Sequence, residues 1–281
     1  MTMILAAGAL VILLPFWEMV SGSLKTPAEL YTTAIRLLPA TPQWNNYTDL
    51  FAALPVPRLL FNSIFISGMV TLWVLFTSSL AGFALAKYSF RGRSFLFKGI
   101  LSTMMFPQFV FLIPVYFILK SVPLAGGNDI LGQGGTGLLH SYAALIIPFI
   151  VSGFGIFLMR QYIVSLPGSL IDAARVDGCS EFGLYWKVIL PLCKPALATL
   201  AVFAFIAQWN EYIWTVTITT AAPDLMTLPV GIQMLRGGFD ITRYEAIMRA
   251  AMTIAVVPSI VLFVFLQKYY VRSLSITGLK E

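Results

Sequence analysis

Long apolar runs dominate the chain, and short polar stretches separate them. Each run approaches the roughly 20 residues that a helix needs to cross a hydrocarbon core about 30 Å thick. The runs lack the strict apolar and polar alternation of lipid-facing β-strands, so a transmembrane barrel is not expected. Helices satisfy their own backbone groups in lipid. The pattern therefore predicts an all-α polytopic bundle of about six transmembrane helices, at residues 3–20, 60–86, 95–119, 139–159, 196–219 and 246–266.

The composition agrees with a membrane protein. Of the residues, 58% are hydrophobic and 11% are charged, and the mean hydropathy is +0.85, which lies far from the balance of a soluble domain. The first run has no basic segment before it, and its small-residue triplet Ala7-Gly8-Ala9 comes too early for signal-peptide cleavage. We therefore expect this run to stay as the first span of a single transmembrane domain over residues 1–281.

The placement of Lys and Arg predicts the orientation, because cytoplasmic loops carry an excess of these residues. Basic residues crowd the second loop, the fourth loop and the C-terminal segment: Lys87, Arg91, Arg93, Lys98, Arg160, Arg175, Lys187, Lys194, Lys268, Arg272 and Lys280. We therefore expect both termini to be cytoplasmic. The same bias and the attraction to anionic lipid headgroups account for the formal net charge of +6, so no nucleic-acid partner is expected.

A polar island over residues 169–191 interrupts the apolar pattern and predicts a helix, a sharp turn and a second short helix at a membrane surface. We expect Ser169 to cap the first helix while Asp172 reaches back to the Ser169 N–H. Ala173 and Ala174 leave a small, smooth helix face, and Gly178 permits the turn. Such a shape suits docking into another protein. An acid in a first turn stabilises any helix, so Asp172 is assigned mainly a structural part. Arg175 and Asp177 are either solvated charges or members of ion pairs across an interface.

The fifth apolar run contains a second polar group. Gln208, Asn210 and Glu211 lie about halfway along it, and an ionisable side chain there must face protein or water. These residues either line an aqueous cavity that suits a hydroxyl-rich solute or form polar contacts between helices. Asn62, at the outer start of the second run, carries the same two interpretations.

Proline residues within the apolar runs predict kinks, because each one removes a helical hydrogen bond. These residues are Pro107, Pro114, Pro148 and Pro258.

Several motifs of other protein classes are missing from the sequence. No phosphate-binding loop of the G-x-x-x-x-G-K-[ST] type is present, and the Gly-rich segment 126–137 has no Lys and is predicted to lie outside. No nucleophile stands with a base, and Cys179 and Cys193 have no further ligands at metal-site spacing. We therefore expect neither an enzyme nor a metal site, and no cofactor bound by this chain.

The polar island resembles the E-A-A-x3-G-x9-I-x-L-P loop of bacterial ABC-importer permeases. The matching residues are Asp172-Ala173-Ala174, Gly178, Val188 and Leu190-Pro191. The spacing is kept throughout, with Asp172 in place of Glu and Val188 in place of Ile. Further segments look like the carbohydrate-uptake permeases of the maltose-type second subunit: Asn62-Ser63, residues 86–93, 159–162, 209–212 and 267–280.

The resemblance implies an inner-membrane component of a binding-protein-dependent importer, with residues 160–195 as its cytoplasmic coupling loop. In such importers a homologous permease shares the translocation path, an extracytoplasmic binding protein delivers the solute, and a separate ATPase pair holds ATP and Mg²⁺. The resemblance assigns ATPase docking to Asp172, Ala173, Ala174, Arg175, Asp177 and Gly178. Sugars, oligosaccharides, polyols and glycerophosphodiesters are all compatible solutes. The alternatives are a self-contained carrier or channel for small polar solutes, and a membrane-embedded enzyme or scaffold.

Overall fold

The computed structural model describes residues 1–32, 36–236 and 241–277, the last range with side chains from 244 to 268. These residues form helices and turns and no strand, as predicted. The α-helices are α1 (Thr2–Gly22), α2 (Pro27–Leu30), α3 (Asn45–Ala53), α4 (Val56–Lys87), α5 (Arg93–Thr103), α6 (Leu112–Lys120), α7 (Tyr142–Ile146), α8 (Gly153–Val164), α9 (Gly168–Val176), α10 (Glu181–Leu184), α11 (Leu190–Leu192), α12 (Lys194–Trp209), α13 (Ile213–Thr219), α14 (Leu228–Arg236) and α15 (Ile241–Thr277).

Helices α1, α4 and α15 are each long and apolar enough to cross a membrane. Three bent pairs of helical segments pass the same test together: Arg93–Thr103 with Gln108–Lys120 at 94°, Tyr142–Phe149 with Gly153–Val164 at 45°, and Glu181–Leu192 with Lys194–Trp209 at 78°. Counting each pair as one span gives six candidate spans in the described part of the chain. The predicted runs 95–119 and 139–159 are therefore interrupted, near the predicted kinks at Pro107 and Pro148. The third bend lies before the run 196–219, which is itself interrupted between α12 and α13, at the predicted polar group.

Proline explains two of these interruptions. Pro107 has an extended backbone before the 3₁₀ turn Gln108–Phe111, and Pro148 lies within the 3₁₀ turn Ile147–Phe149. Pro114 does not interrupt its helix, because it falls in the first turn of α6, where a missing N–H breaks no helical hydrogen bond. Helix α15 likewise continues through Pro258. The predicted kinks at Pro107 and Pro148 thus coincide with helix ends, whereas those at Pro114 and Pro258 do not.

The chain divides into two compact units. The first comprises Met1–Ser63 and Met226–Ile260. An ionic cluster holds it together, because the Glu18 carboxylate lies 3.2 Å from Lys25 Nζ and 3.0 Å from an Arg249 guanidinium nitrogen. Lys25 is buried and also donates to the Arg36 carbonyl at 2.7 Å. These bonds join α1 to the segment after it and to α15.

The second unit comprises Ile64–Leu225 and the chain from Val261 onward. Its apolar core includes Phe83, Met159, Leu184 and Tyr185, all less than 5% exposed. Helices α4 and α8 approach closely at Gly82, where an added Cβ would lie 2.8 Å from Met159 Cβ and 2.9 Å from the next backbone nitrogen. Glycine is therefore required for this contact.

Helix α8 ends at Val164, beyond the predicted end of its run at residue 159. Arg160 therefore lies in the helix, where the predicted coupling loop was expected to begin. Its guanidinium carbon lies 4.1 Å from the centre of the Phe97 ring, and its Nε donates to the Leu85 carbonyl at 3.3 Å. A cation–π contact and a hydrogen bond compensate this charge at the helix end.

Candidate functional site

Residues 168–192, here called the docking segment, form α9, a turn, α10, one π-helical turn and α11. The structure corrects the predicted cap of α9. The helix begins at Gly168, with Pro167 in the capping position (φ −55°, ψ 130°) and no side-chain cap. Ser169 lies within the first turn, where its side chain cannot cap the helix, so the capping contact predicted between Asp172 and Ser169 is wrong as well.

Helix α9 presents two different faces. Ile171 is 4% exposed and points inward, and Ala174 is half-buried against the same core. Ala173 and Val176 are exposed on the other side, with Val176 at 87%. The two predicted docking alanines therefore differ, since Ala173 faces outward and Ala174 faces the protein's own core. Asp172 is exposed.

The predicted turn after α9 is present at Gly178, which has a φ of +78°. This left-handed conformation favours glycine. The Gly178 N–H donates to the Arg175 carbonyl, and the Cys179 N–H donates to the Ala174 carbonyl, both at 3.0 Å. These bonds satisfy carbonyls at the end of α9. Asp177, beside the turn, is exposed.

Arg175 forms an ion pair within the chain, an arrangement that sequence reasoning missed. Its Nε lies 3.0 Å from Glu181 Oε1, and the Tyr88 hydroxyl donates to Glu181 Oε2. The pKa of Tyr88 is raised to about 12, mainly by burial and secondly by the neighbouring Glu181. The Tyr88 hydroxyl and Arg175 hold the pKa of the Glu181 carboxyl below its usual value. In the sequence, the local clue to the position of Glu181 is that it follows Ser180, whose side chain caps α10.

Apolar side chains extend the exposed surface of the docking segment beyond α9. Phe182 is 69% exposed and Trp186 is 52% exposed. Their rings stack with centroids 6.2 Å apart and an interplanar angle of 12°. Exposed apolar patches mark contacts with other proteins or with the membrane.

The predicted polar interruption in the fifth run separates α12 from α13. The Glu211 carboxylate accepts hydrogen bonds from the Trp214 N–H at 2.8 Å, the Thr215 N–H at 2.9 Å and the Thr215 hydroxyl at 2.7 Å. It thereby satisfies backbone donors in the first turn of α13 and places a negative charge at the favourable helix end. Asn210 donates to the Ile206 carbonyl of its own helix at 2.9 Å.

Two adjoining cavities of about 450 and 630 Å³ lie beside this interruption, and Glu211 lines both of them. Gln208 lines the larger cavity, whereas Asn210 and Asn62 are outside both linings. Asn62 is 1% exposed, and its side-chain amide donates to the Met226 carbonyl at 2.8 Å. The structure thus brings two of the four predicted path residues, Gln208 and Glu211, to these two cavities.

Gln108 also lines both cavities, and sequence reasoning missed it. Its signal was available, because it is a polar residue directly after Pro107 in an apolar run. Phe149 and Pro148 complete the shared lining. Within residues 1–32, 36–236 and 241–277, no group of three or more His, Cys, Asp or Glu side chains could hold a metal ion.

Comparisons with known proteins agree with these features. The family model of the binding-protein-dependent transport system inner membrane component matches residues 74–276, which is more than half of the chain. A structure described as a bacterial ABC transporter involved in the import of the acidic polysaccharide alginate has a TM-score of 0.77 and 26% identity, covering 96% of this chain and 94% of that one. The predicted fold class is confirmed.

Curated relatives align over nearly the whole chain. The arabinooligosaccharides transport system permease protein AraQ of Bacillus subtilis (strain 168) is 33% identical, covering 97% of this chain and 92% of its own. The sulfoquinovosyl glycerol transport system permease protein SmoH of Agrobacterium fabrum is 32% identical, with coverages of 92% and 85%. The sn-glycerol-3-phosphate transport system permease protein UgpE of Escherichia coli O1:K1 is 31% identical, with coverages of 96% and 93%.

The resemblance carried by the polar island is therefore confirmed. This chain is a multi-pass membrane permease of the ABC-importer type, and it belongs to the family of binding-protein-dependent transport system inner membrane components.

Proposed function

We propose that this chain forms, with a homologous permease, the translocation path for a sugar or related polar solute. A solute-binding protein delivers the solute at the outer face, and a separate ATPase pair drives transport by binding and hydrolysing ATP with Mg²⁺. The chain itself binds no cofactor. The similarity to the arabinooligosaccharide permease supports a carbohydrate.

The observation that carries this proposal is the outward face of the docking segment. Ala173 and Val176 are exposed at the surface, while Ile171 anchors the same helix in the core. A helix whose inner face is anchored in the core and whose outer face carries small side chains fits a groove on a partner. The ATPase needs to bind this surface differently in its two nucleotide states, because a ligand shifts an equilibrium only by its differential affinity.

The cavities beside Glu211 support the second part of the proposal. In the proposed path, Gln208 and Glu211 contact the solute, since pockets for small molecules combine apolar walls with a few polar groups. Asn210 and Asn62 act through hydrogen bonds to the backbone. In this proposal the docking segment and both termini lie in the cytoplasm, and the basic residues of the second and fourth loops support that orientation. Of the C-terminal basic residues that support this orientation, Lys280 and the Arg272 side chain lie outside the described residues.

Reconstitution in proteoliposomes tests the proposal. The purified chain alone should neither hydrolyse ATP nor concentrate solute, even when a proton gradient is imposed. Addition of the partner permease, the ATPase pair and the binding protein should produce solute-stimulated ATP hydrolysis and inward transport. Active accumulation by the single chain would overturn the proposal in favour of a self-contained carrier.

A further inference from the structure

The chemistry of the two cavities selects among the solutes that an importer of this family could carry. We propose that the part of the path built by this chain accepts uncharged, hydroxyl-rich solutes and repels anions. This inference rests on the proposed function, because it assumes that the cavities beside Glu211 belong to the path. The relatives are named for both kinds of solute, since one is an arabinooligosaccharide permease and another an sn-glycerol-3-phosphate permease. Sequence similarity therefore does not decide whether the solute of this chain is neutral or anionic.

The described residues that line the two cavities carry a negative charge and no positive one. Glu211 is the one ionisable side chain among the described residues that line the two cavities, and neither lining includes Lys, Arg or His. An anionic solute would therefore meet a fixed negative charge without a cation from this chain. Repulsion between like charges is strong where protein walls exclude water and lower the effective dielectric constant.

Three hydrogen bonds fix the position of the Glu211 carboxylate. Two backbone N–H groups and one hydroxyl donate to this carboxylate. A carboxylate has about four acceptor sites, so an accepting position remains for a solute hydroxyl. The residue thus serves as a helix cap and as a hydrogen-bond acceptor at the same time.

The rest of the lining matches a neutral sugar. The side-chain amides of Gln108 and Gln208 both donate and accept, as hydroxyl groups require. The rings of Phe111, Phe149 and Trp214 supply flat apolar walls beside these polar groups, and such walls suit the C–H faces of a sugar ring. Phosphate and carboxylate groups would instead call for Arg, which these linings lack.

Thiol labelling of the assembled transporter tests the inference without knowledge of the natural solute. Gln108→Cys is introduced into a background with Cys179→Ser and Cys193→Ala, because Gln108 lines both cavities and is exposed. Uncharged, cationic and anionic methanethiosulfonates of similar size are the probes. Each rate is divided by the rate of the same reagent at Thr48→Cys, an exposed position in α3.

The anionic reagent should label Gln108→Cys about tenfold or more slowly than the uncharged one, in line with the effect of clefts lined by one sign of charge. Adding Glu211→Gln should bring the two normalised rates close to equality. Equal rates with Glu211 intact would overturn the anion repulsion and leave the proposed transport function standing. Failure of all three reagents at Gln108→Cys, with normal labelling at Thr48→Cys, would remove these cavities from the path and the inference with them.

Discussion

The docking segment and the interruption at Glu211 are both polar breaks between apolar helices, and their side chains are arranged in opposite ways. The docking segment exposes Ala173 and Val176 and ties its charged Arg175 to Glu181 of the same segment. The interruption turns Glu211 toward cavities and bonds it to the N–H groups of α13. The first region therefore suits the proposed contact with a partner, and the second suits the proposed contact with a solute.

The surroundings of a polar residue, water or the membrane interior, decide which partners its side chain needs. In the docking segment, water solvates the charges, so an ion pair there mainly fixes geometry and adds little stability. Within a span, an ionised group without partners is costly, so Glu211 must find donors in its own backbone. Mutations in the first region should change assembly and coupling, whereas mutations in the second should change solute handling.

The largest effect is expected from Gly178→Val, which should abolish uptake. An added side chain at this position meets no heavy atom within 4 Å, so the obstacle is the φ of +78° alone. An L-residue in this conformation is disfavoured by about 1–2 kcal/mol, and a β-branched one is a genuine outlier. The turn should open and misplace α10. Uptake in membranes with matched expression measures the effect.

Two further glycine variants control this experiment. Gly99→Val has equally open space at an ordinary helical φ and should leave uptake near normal. Gly178→Asn should retain part of the activity, since Asn tolerates the left-handed region. Near-normal uptake by Gly178→Val would show that the turn is dispensable.

Ala173→Trp should be the next most severe change and should prevent the ATPase from docking. Ala173 is exposed, so the larger ring should leave the fold intact and overfill the groove of the partner. Overpacked contacts cost about 1–3 kcal/mol. The measurement is co-purification of the ATPase in mild detergent, together with solute-stimulated ATP hydrolysis.

Ala174→Trp provides the matched contrast. This residue packs against the core of the second unit, so the variant should lower the melting temperature of the permease itself. If the two variants behaved alike, the assignment of an outward and an inward face to α9 would be wrong.

Glu211→Ala should have an intermediate effect on both stability and uptake. The change leaves the Trp214 and Thr215 N–H groups without their acceptor, and loss of a helix cap costs about 0.5–2 kcal/mol. Glu211→Gln keeps one acceptor oxygen and should lose less stability. Thr217→Ala, which removes a hydroxyl bonded to its own helix, is the control. Unfolding temperature and initial uptake rate separate the two contributions, and an unchanged uptake rate in Glu211→Ala would contradict a role in the path.

Tyr88→Phe should have the smallest effect, a severalfold rise in ATP hydrolysed per solute with little change in stability. The Tyr88 hydroxyl connects the loop after α4 to Glu181 in the docking segment, and its removal frees that connection. Tyr31→Phe, at an exposed position, is the control. An unchanged ratio of hydrolysis to transport in Tyr88→Phe would mean that the contact carries no coupling.

The contact between Tyr88 and Glu181 also predicts how the ratio of ATP hydrolysis to transport depends on pH. Glu181 has a lowered pKa, so its contribution is present above the ordinary carboxyl value and is lost as the pH falls through the lowered one. Tyr88 has a pKa raised to about 12, so its contribution is present below the ordinary phenol value and is lost as the pH rises through the raised one. The hydrolysis ratio of the wild type should therefore stay constant between about pH 6 and 9. A titration step within that window that disappears in Tyr88→Phe would contradict this assignment.

Local signals in the sequence predicted the turn at Gly178, because the preference of glycine for positive φ acts within one residue. They failed at the start of α9, since Pro167 and Ser169 are both plausible near a helix start and the structure places the former in the cap. The contact between Tyr88 and Glu181 joins residues 93 positions apart, and no local pattern reports such a pair. The cavity lining likewise depends on how Gln108 and Glu211 meet after folding.

The close approach of α4 and α8 at Gly82 has a mechanical consequence. A contact made through glycine lets the two helix backbones pack directly against each other. The Lys87 ammonium at the end of α4 also donates to the Leu166 carbonyl at 3.0 Å, in the link between α8 and α9. Under the proposed function, a movement of the docking segment should therefore reach α4 and α8 together.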